Sequence, residues 1–517
     1  MKFRLGVDVG GTNTDAAILD DELNVVYTVK AHTTKDVQTG IFNAIEKVLV
    51  ESKIEKSKIQ YAMLGTTKST NAIVERKDLD KVAYIRIGKP GTVGIPPYME
   101  WPTELKEAIE LHSEIIHGGY EFDGRQLAEM KREEVDQFCQ IIKDETTSIA
   151  IAGVFSPVNS EQELQVAKWV REDLGSQVDI TLSHQIGGVG LLERENASIL
   201  NAALMTVGQQ IVDGFEKALK SLGINAITFF SQNDGTLMTG EFTKKYPIFT
   251  IGCGPTNSIR GAYHLSGIKD ALVLDVGGTT SDIGVLVNSF PRQSVLSARV
   301  GGVETNFRMP DVLSIGIGGG TIVHQTGKGV KIGPDSVGYE IVHQAKLFGG
   351  EIETASDIAT KLGRAFEDKK EFVQDISQKR AQQVSKLINQ KITESLDQMK
   401  TRNGDVPLIL TGGGSFLIDE NLKGISKVYQ PSHYDAANAV GAALGQVSGE
   451  VNKIFSFAKN GRTKTLEFAK RQAIEQAISA GANPDSVEVI DIDVVPLAYL
   501  PGDSAQVKAK AVGNLDL

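Results

Sequence analysis

Apolar positions recur along this chain in two rhythms. Short apolar runs at Val82–Ile87, Ile149–Phe155, Ala226–Phe230 and Val406–Leu410 read as buried strands. Between them, apolar residues three or four apart at Ile41–Val50, Glu133–Lys143 and Gln162–Leu174 read as amphipathic helices. The longest such stripe runs from Leu192 through Ile199, Ala203, Val207, Ile211, Phe215 and Leu219, with Gly223 as its expected stop. Strands alternating with helices predict an α/β fold. A Gly187-Gly188 break divides residues 1–187 from 188–459, and the polar stretch Asn460–Lys464 opens an appendage, 460–517, with strand-like residues at Val494–Leu500.

Two segments repeat one another: Leu5–Leu19 contains Asp8-Val-Gly-Gly-Thr12 and Asp15, and Leu272–Leu286 contains Asp275-Val-Gly-Gly-Thr279 and Asp282. Both aspartates keep a single offset between the copies, about half the chain length, so the repeat points to duplication of a whole domain. Each copy reads as strand, glycine turn, strand, which is a β-hairpin.

Composition narrows the classes of function. The 517 residues are 41% hydrophobic and 23% charged, with no apolar run long enough to cross a bilayer. The net charge of −11 repels phosphate backbones and acidic lipid, so neither nucleic acid nor a membrane is an expected partner. Two cysteines build no disulfide framework and the N-terminus shows no signal-peptide pattern, which makes the cytoplasm the expected compartment. Cys253 reads as a packed side chain in a turn, with a reactive thiol as the alternative. The eight histidines show no metal-ligand spacing. Glycine, 53 residues against 15 proline, suggests backbone that approaches something closely.

The glycine turns supply the candidate chemistry. Gly10, Gly11, Thr12 and Asn13 in one copy, and Gly277, Gly278, Thr279 and Thr280 in the other, combine backbone N–H groups free of a Cβ with hydroxyl or amide donors, a cradle for phosphate. Asp8 and Asp275, ending the first strand of each hairpin, suit Mg²⁺ held through water beside a polyphosphate. A third cluster, Gly412-Gly413-Gly414, follows the run Val406–Leu410 and suits a nucleoside or a helix start. A fourth, Ser314–Thr321, reads equally as a lid or a phosphate loop.

The hairpin Gly6–Ile18, Gly65–Ala72 with Glu75-Arg76, Glu193-Arg194 followed by Asn201-Ala202, Gly254-Pro255, Asp275–Asp282 and Ser314–Ile322 together resemble the A subunit of the ATP-dependent hydantoinase/5-oxoprolinase family. The resemblance implies two duplicated ribonuclease-H-like domains of the actin/Hsp70/sugar-kinase type with ATP and Mg²⁺ in the cleft between them. It further implies hydrolytic opening of a small cyclic amide or imide through phosphorylation of the amide oxygen, with a B-type subunit or a homo-oligomer as partner. On that reading Asp8, Asp275 and Asp282 are catalytic, with Asp275 or Asp282 orienting the nucleophile. Thr66, Thr67, Asn71 and Arg194 face the substrate, Arg194 as a clamp; the residues alone leave it equally a solvated ion pair beside Glu193. Relatives often carry a histidine where this chain has Leu64, so a metal or acid–base role assigned to that position does not carry over from the resemblance. A small-molecule kinase and a nucleotide-driven reactivating chaperone are the alternatives.

Overall fold

The computed structural model describes residues 2–515 apart from 34–36, 144, 146–147, 295–297, 308, 328 and 498–501. The chain opens with the expected hairpin, β1 (Phe3–Val9) and β2 (Asn13–Asp20), extended by antiparallel β3 (Val25–His32). Helix α1 (Val37–Ser52) then leads to β4 (Ile59–Thr66), which runs parallel to β1, and to α2 (Lys68–Glu75). An inserted parallel sheet follows, built from β5 (Val82–Lys89), β6 (Glu110–His117), α3 (Arg132–Ile142), β7 (Ser148–Gly153), α4 (Glu161–Leu174) and β8 (Asp179–Leu182), in strand order β6-β5-β7-β8. The chain returns through α5 (Leu191–Ala203) and α6 (Met205–Ser221) to β9 (Ile227–Ser231), parallel to β4, and β10 (Thr236–Thr239). The order β3-β2-β1-β4-β9, three antiparallel strands and two parallel ones, is a ribonuclease-H-like sheet.

The same order appears again. After α7 (Cys253–Ser266) come the hairpin β11 (Ala271–Val276) and β12 (Ser281–Val287), then β13 (Phe290–Pro291), β14 (Val312–Ile315), α8 (Gln378–Met399), β15 (Val406–Thr411) and β16 (Ile425–Tyr429). Their order is β13-β12-β11-β15-β16, with β14 beside β12. Duplication inferred from fifteen residues of sequence is therefore duplication of a whole sheet. Leu5, Val7 and Val9 pack with α1, α5 and α6 in one core, while Leu272, Leu274 and Val276 pack with α8 in a second.

Three expectations are corrected. The single long helix is two, broken at Leu204, because Asp80 caps the second: its carboxylate accepts from the Thr206 backbone N–H at 2.8 Å and from its hydroxyl at 2.7 Å. Gly223, at φ +72°, still follows the helix end. The first sheet runs across the Gly187-Gly188 break, since β9 and β10 belong to it. Residues 460–517 do not hang free of it either. Helix α9 (Ala437–Ala443) leads to β17 (Gln446–Ser456), α10 (Arg462–Ser479), β18 (Glu488–Pro496) and β19 (Ser504–Gly513), which extend the first sheet in the order β18-β19-β17-β10. Of the expected strand Val494–Leu500, residues 498–500 lie outside the described residues.

Where the two halves meet, α7 crosses α9. A Cβ on Gly261 would stand 1.8 Å from the Ala437 carbonyl oxygen, and one on Gly441 1.8 Å from that of Asn257, so the helices touch backbone to backbone. Among the described residues no helix is long and apolar enough to cross a membrane.

Candidate functional site

The two hairpins make the same turn. Gly10 N–H donates to the Asn13 carbonyl at 3.0 Å, and Gly277 N–H to that of Thr280 at 2.9 Å. Their registers also match, with Asp8 opposite Asp15 and Asp275 opposite Asp282. Residues opposite one another in an antiparallel pair share a face, so each hairpin sets two carboxylates side by side. Like charges so placed oppose folding. The neighbouring strand extends each row: β3 puts Lys30 opposite Asp15, and β14 puts Ser314 opposite Asp282. Lys30 Nζ lies 2.6 Å from Asp15 Oδ1, and the Ser314 hydroxyl donates to Asp282.

The turns meet each other. A Cβ on Gly278 would stand 2.4 Å from Thr12 Oγ1, and one on Gly11, the matching residue of the other turn, 3.9 Å from Thr279 Oγ1. The buried Thr12 hydroxyl has no hydrogen-bond partner. Gly11 and Thr280 are exposed, while Gly10, Asn13, Gly277, Gly278 and Thr279 are half-buried. An unspent donor in a cradle that leaves no room for a side chain at Gly278 is what a phosphate oxygen would complete.

The other glycine clusters brace this cradle. Gly414 N–H donates to the Val276 carbonyl at 2.8 Å, a Cβ on Gly412 would stand 2.2 Å from Asp275 Oδ1, and Gly413 is exposed. Residues 317–320 are buried, with Gly319 and Gly320 donating to the carbonyls of Gly277 and Gly278 at 3.0 and 2.7 Å. That fourth cluster is neither a lid nor an open loop but a support beneath the second turn.

Three residues absent from the sequence reading hold the aspartates. On α7, Asn257 Nδ2 donates to Asp8 Oδ1 at 3.2 Å and the Ser258 hydroxyl donates to Asp275; on α9, Asn438 Nδ2 donates to Asp8 Oδ2 at 3.0 Å. The crossing helices thus carry both first-strand carboxylates. Burial pushes the Asp8 carboxyl up to about 6, against the two amide hydrogen bonds and with help from Asp15 and Asp275. Asp282 is pushed up to about 6 by burial, with the Ser314 hydrogen bond opposing and Asp275 adding. Asp15 and Asp275 are also raised, by burial first, with Lys30 opposing in both.

Among the described residues no group of three His, Cys, Asp or Glu side chains is arranged to grip a metal ion. Asp8 and Asp275, one from each hairpin, nevertheless suit an ion that keeps most of its water and shares phosphate oxygens, the habit of Mg²⁺.

Part of the expected substrate side adjoins the first hairpin. Thr66 ends β4 opposite Val9, and Thr67 Oγ1 donates to the Val9 carbonyl at 3.3 Å while accepting from Asn71 Nδ2 at 3.5 Å; Asn71 is exposed. Arg194 is not brought to them. It is wholly buried, with Nε donating to Ser183 Oγ at 2.9 Å, Nη1 to the Gly188 and Val189 carbonyls at 2.7 and 2.8 Å, and Nη2 to the Gly153 carbonyl at 2.6 Å. Its donors close the backbone before α5, so it is neither a solvated ion pair nor poised to clamp a ligand. Glu195 beside it accepts from Arg86 and Tyr84 at 2.6 and 2.5 Å, also buried, and together they fasten α5 to the inserted sheet. Cys253 is buried and its Sγ–H donates to the Thr66 carbonyl at 3.4 Å; burial pushes the thiol up to about 12, which leaves it a packed side chain. Leu64 lies in the core.

Comparison with known proteins supplies a context for this geometry. The family profile described as the hydantoinase/oxoprolinase N-terminal region matches residues 4–174, and that described as hydantoinase/oxoprolinase matches residues 194–399. The caprolactamase subunit alpha of Pseudomonas jessenii is 25% identical over 70% of this chain and 54% of its own. The acetophenone carboxylase gamma subunit of Aromatoleum aromaticum is 24% identical over 69% of this chain and 53% of its own, and an uncharacterised protein of Methanocaldococcus jannaschii is 25% identical over 77% and 62%. The chain therefore spans less than two thirds of the length of each of these three relatives. Among solved structures, the ATP-dependent caprolactamase of Pseudomonas jessenii has a TM-score of 0.74 at 17% identity, and a nucleotide-free acetone carboxylase 0.73 at 18%. Each match covers 99% of this chain and 88% of the other. These two likenesses speak to the fold.

Proposed function

The chain belongs to the hydantoinase/oxoprolinase family, and on that premise we propose that it is an ATP-dependent enzyme that opens a small cyclic amide or imide. The observation that carries this reading is the meeting of the two Asp-x-Gly-Gly-Thr hairpins, with the Thr12 hydroxyl unpartnered at their contact. Gly10–Asn13 and Gly277–Thr280 would hold the phosphates of ATP, and Gly412–Gly414 would face its nucleoside. Asp8 and Asp275 would hold Mg²⁺, which would offset phosphate charge.

Water attacks an unactivated ring amide slowly. Transfer of the terminal phosphoryl group to the amide oxygen makes the ring carbon a better electrophile and releases ADP. Water then adds to that carbon, the ring C–N bond breaks with the nitrogen leaving protonated, and a second water frees phosphate. Positioning and charge neutralisation are the protein's part in such chemistry. Asp282, whose proton affinity lies near neutrality, takes the proton from the attacking water. Thr66, Thr67 and Asn71 offer donors and acceptors matched to a ring amide. A B-type subunit or a second copy completes the assembly, in keeping with relatives named as subunits.

Phosphate release from Mg-ATP, measured with hydantoins, 5-oxoproline and larger lactams, tests this reading: at least one ring should stimulate release and be opened stoichiometrically. A stable phosphoester product would make the protein a kinase, and slow hydrolysis indifferent to every ring would make it a nucleotide-driven chaperone. The carboxylase subunits among the relatives favour a second reading, phosphorylation of a ketone-derived or bicarbonate oxygen. Bicarbonate-dependent phosphate release without ring opening would select it.

A further inference from the structure

We propose that Lys30 is a positioning residue that sets the charge of the first aspartate row and ties that row to the second domain, acting through Asp15 and the backbone of Asp435. The inference rests on the nucleotide-binding reading above. Lys30 stands third in the row Asp8, Asp15, Lys30, one residue from each of β1, β2 and β3. Asp15 is 5% exposed and Lys30 30%, so their contact is not a solvated surface pair of little worth. Burial disfavours the ammonium, yet the hydrogen-bonded Asp15, with Asp435 and Asp275 adding, holds the lysine above its ordinary range.

Two of the three ammonium donors are spent, one on Asp15 and one, at 3.0 Å, on the Asp435 carbonyl. Asp435 lies in the turn Tyr434–Ala436, immediately before α9, and α9 carries the Asn438 amide that holds Asp8. The same cation therefore neutralises Asp15 and steadies the start of the helix that orients Asp8. Two residues back on β3, Thr28 Oγ1 and His433 Nδ1 lie 3.2 Å apart, a second contact between the same strand and the same turn. A Cβ on Gly413 would stand 3.8 Å from Lys30 Nζ, which places the lysine beside the third glycine cluster as well. Without Lys30, Asp8 and Asp15 would be two uncompensated charges on one face, opposing both each other and an incoming polyphosphate. An ordinary structural ion pair would affect stability alone.

The test uses full-length wild type, Lys30→Met, Lys30→Arg and the double variant Lys30→Met with Asp15→Asn. It reads Mg-ATP binding by calorimetry and amide hydrogen exchange of residues 433–438 without nucleotide. Lys30→Met should weaken Mg-ATP binding about tenfold or more and Lys30→Arg by no more than about threefold, differences calorimetry resolves readily. Removing the charge of Asp15 as well should restore binding to within about threefold of wild type, whereas exchange of 433–438, faster in Lys30→Met, should stay fast because the Asp435 contact is still missing. Wild-type binding in Lys30→Met overturns the proposal. So does a double variant that binds no better than Lys30→Met, which would mean that the lysine contacts the nucleotide itself. If wild type binds no Mg-ATP, the nucleotide reading falls, and exchange alone decides: unchanged protection of 433–438 in Lys30→Met overturns the placement, and lost protection supports it.

Discussion

The two hairpins share a turn, a register and a pair of facing aspartates, and they diverge at the third strand of the row. In the first, Lys30 matches the charge of Asp15; in the second, Ser314 offers Asp282 a hydroxyl and no charge. Duplication alone would give a symmetric cradle, yet displacement at a phosphoryl group has an attacking end and a leaving end. On the proposed mechanism, one strand position would convert the symmetric frame into a directed one: a compensated row suited to holding charge would face a row whose Asp282 receives only a hydroxyl from its third strand.

The sharpest way to break this comparison is to neutralise the second aspartate of each row. On the proposed mechanism, Asp282→Asn should lower ring-stimulated ATP turnover by two orders of magnitude or more, about what a positioned base contributes, while Asp15→Asn should cost about tenfold. Equal losses, measured by phosphate release at saturating Mg-ATP, would abolish the distinction between the rows.

The matched glycines probe the same asymmetry by shape. Alanine at 278 puts a methyl group against the Thr12 side chain, whereas alanine at 11 meets only ordinary van der Waals space. Gly278→Ala should weaken Mg-ATP binding about tenfold and Gly11→Ala by no more than about twofold, as judged by calorimetry. The reverse order would show that the contact between the turns plays no part in binding.

Stability against pH supplies the smallest effect. The Asp8 carboxyl lies near 6 in the folded protein against an ordinary 3.8, so its proton favours the fold; that contribution is full below about pH 4 and lost as pH rises through 6. Asparagine never ionises and escapes the loss. Asp8→Asn should therefore raise the melting temperature at pH 7.5, by a few degrees for at most about 3 kcal/mol, with the gain gone by pH 4. Asp15→Asn should gain less, because Lys30 already compensates that charge. A pH-independent difference between Asp8→Asn and wild type would refute the account.

The hairpins were legible in sequence because everything that defines them is local: strand, two glycines, threonine, and an aspartate at each fixed offset. The strands at Val82, Ile149, Ala226 and Val406 were legible as apolar runs. What escaped notice is non-local. Lys30 reads as an ordinary polar strand residue until the β2–β3 register, shifted by an irregularity between Ile18 and Leu19, sets it opposite Asp15. Asn257 and Ser258 follow the Gly254-Pro255 pair after one intervening residue, Thr256, but only the meeting of α7 and α9 turns them toward two carboxylates from different halves of the chain. Arg194 misled because a charged residue near a helix start reads as exposed; here the backbone carbonyls of residues 153 and 188–190 satisfy it in the interior. The break in the long helix leaves no mark in the local spacing, because the residue that caps its second half, Asp80, lies more than a hundred residues upstream.

The return of β17 to the first sheet has a consequence for biosynthesis. Strand β10 ends at Thr239 with Leu237 and Met238 buried, and its partner β17 begins at Gln446, roughly 200 residues later. At translation rates of about 5–20 residues per second, that edge emerges some tens of seconds before the strand that covers it. In the interval the second sheet, contained wholly between Ala271 and Tyr429, can close on its own. The nascent chain thus carries one finished domain beside one with an open, apolar edge, the condition in which neighbouring ribosomes' products pair with each other. Slowing synthesis across 240–445 should lengthen that exposure, and supplying 446–513 in trans should shorten it.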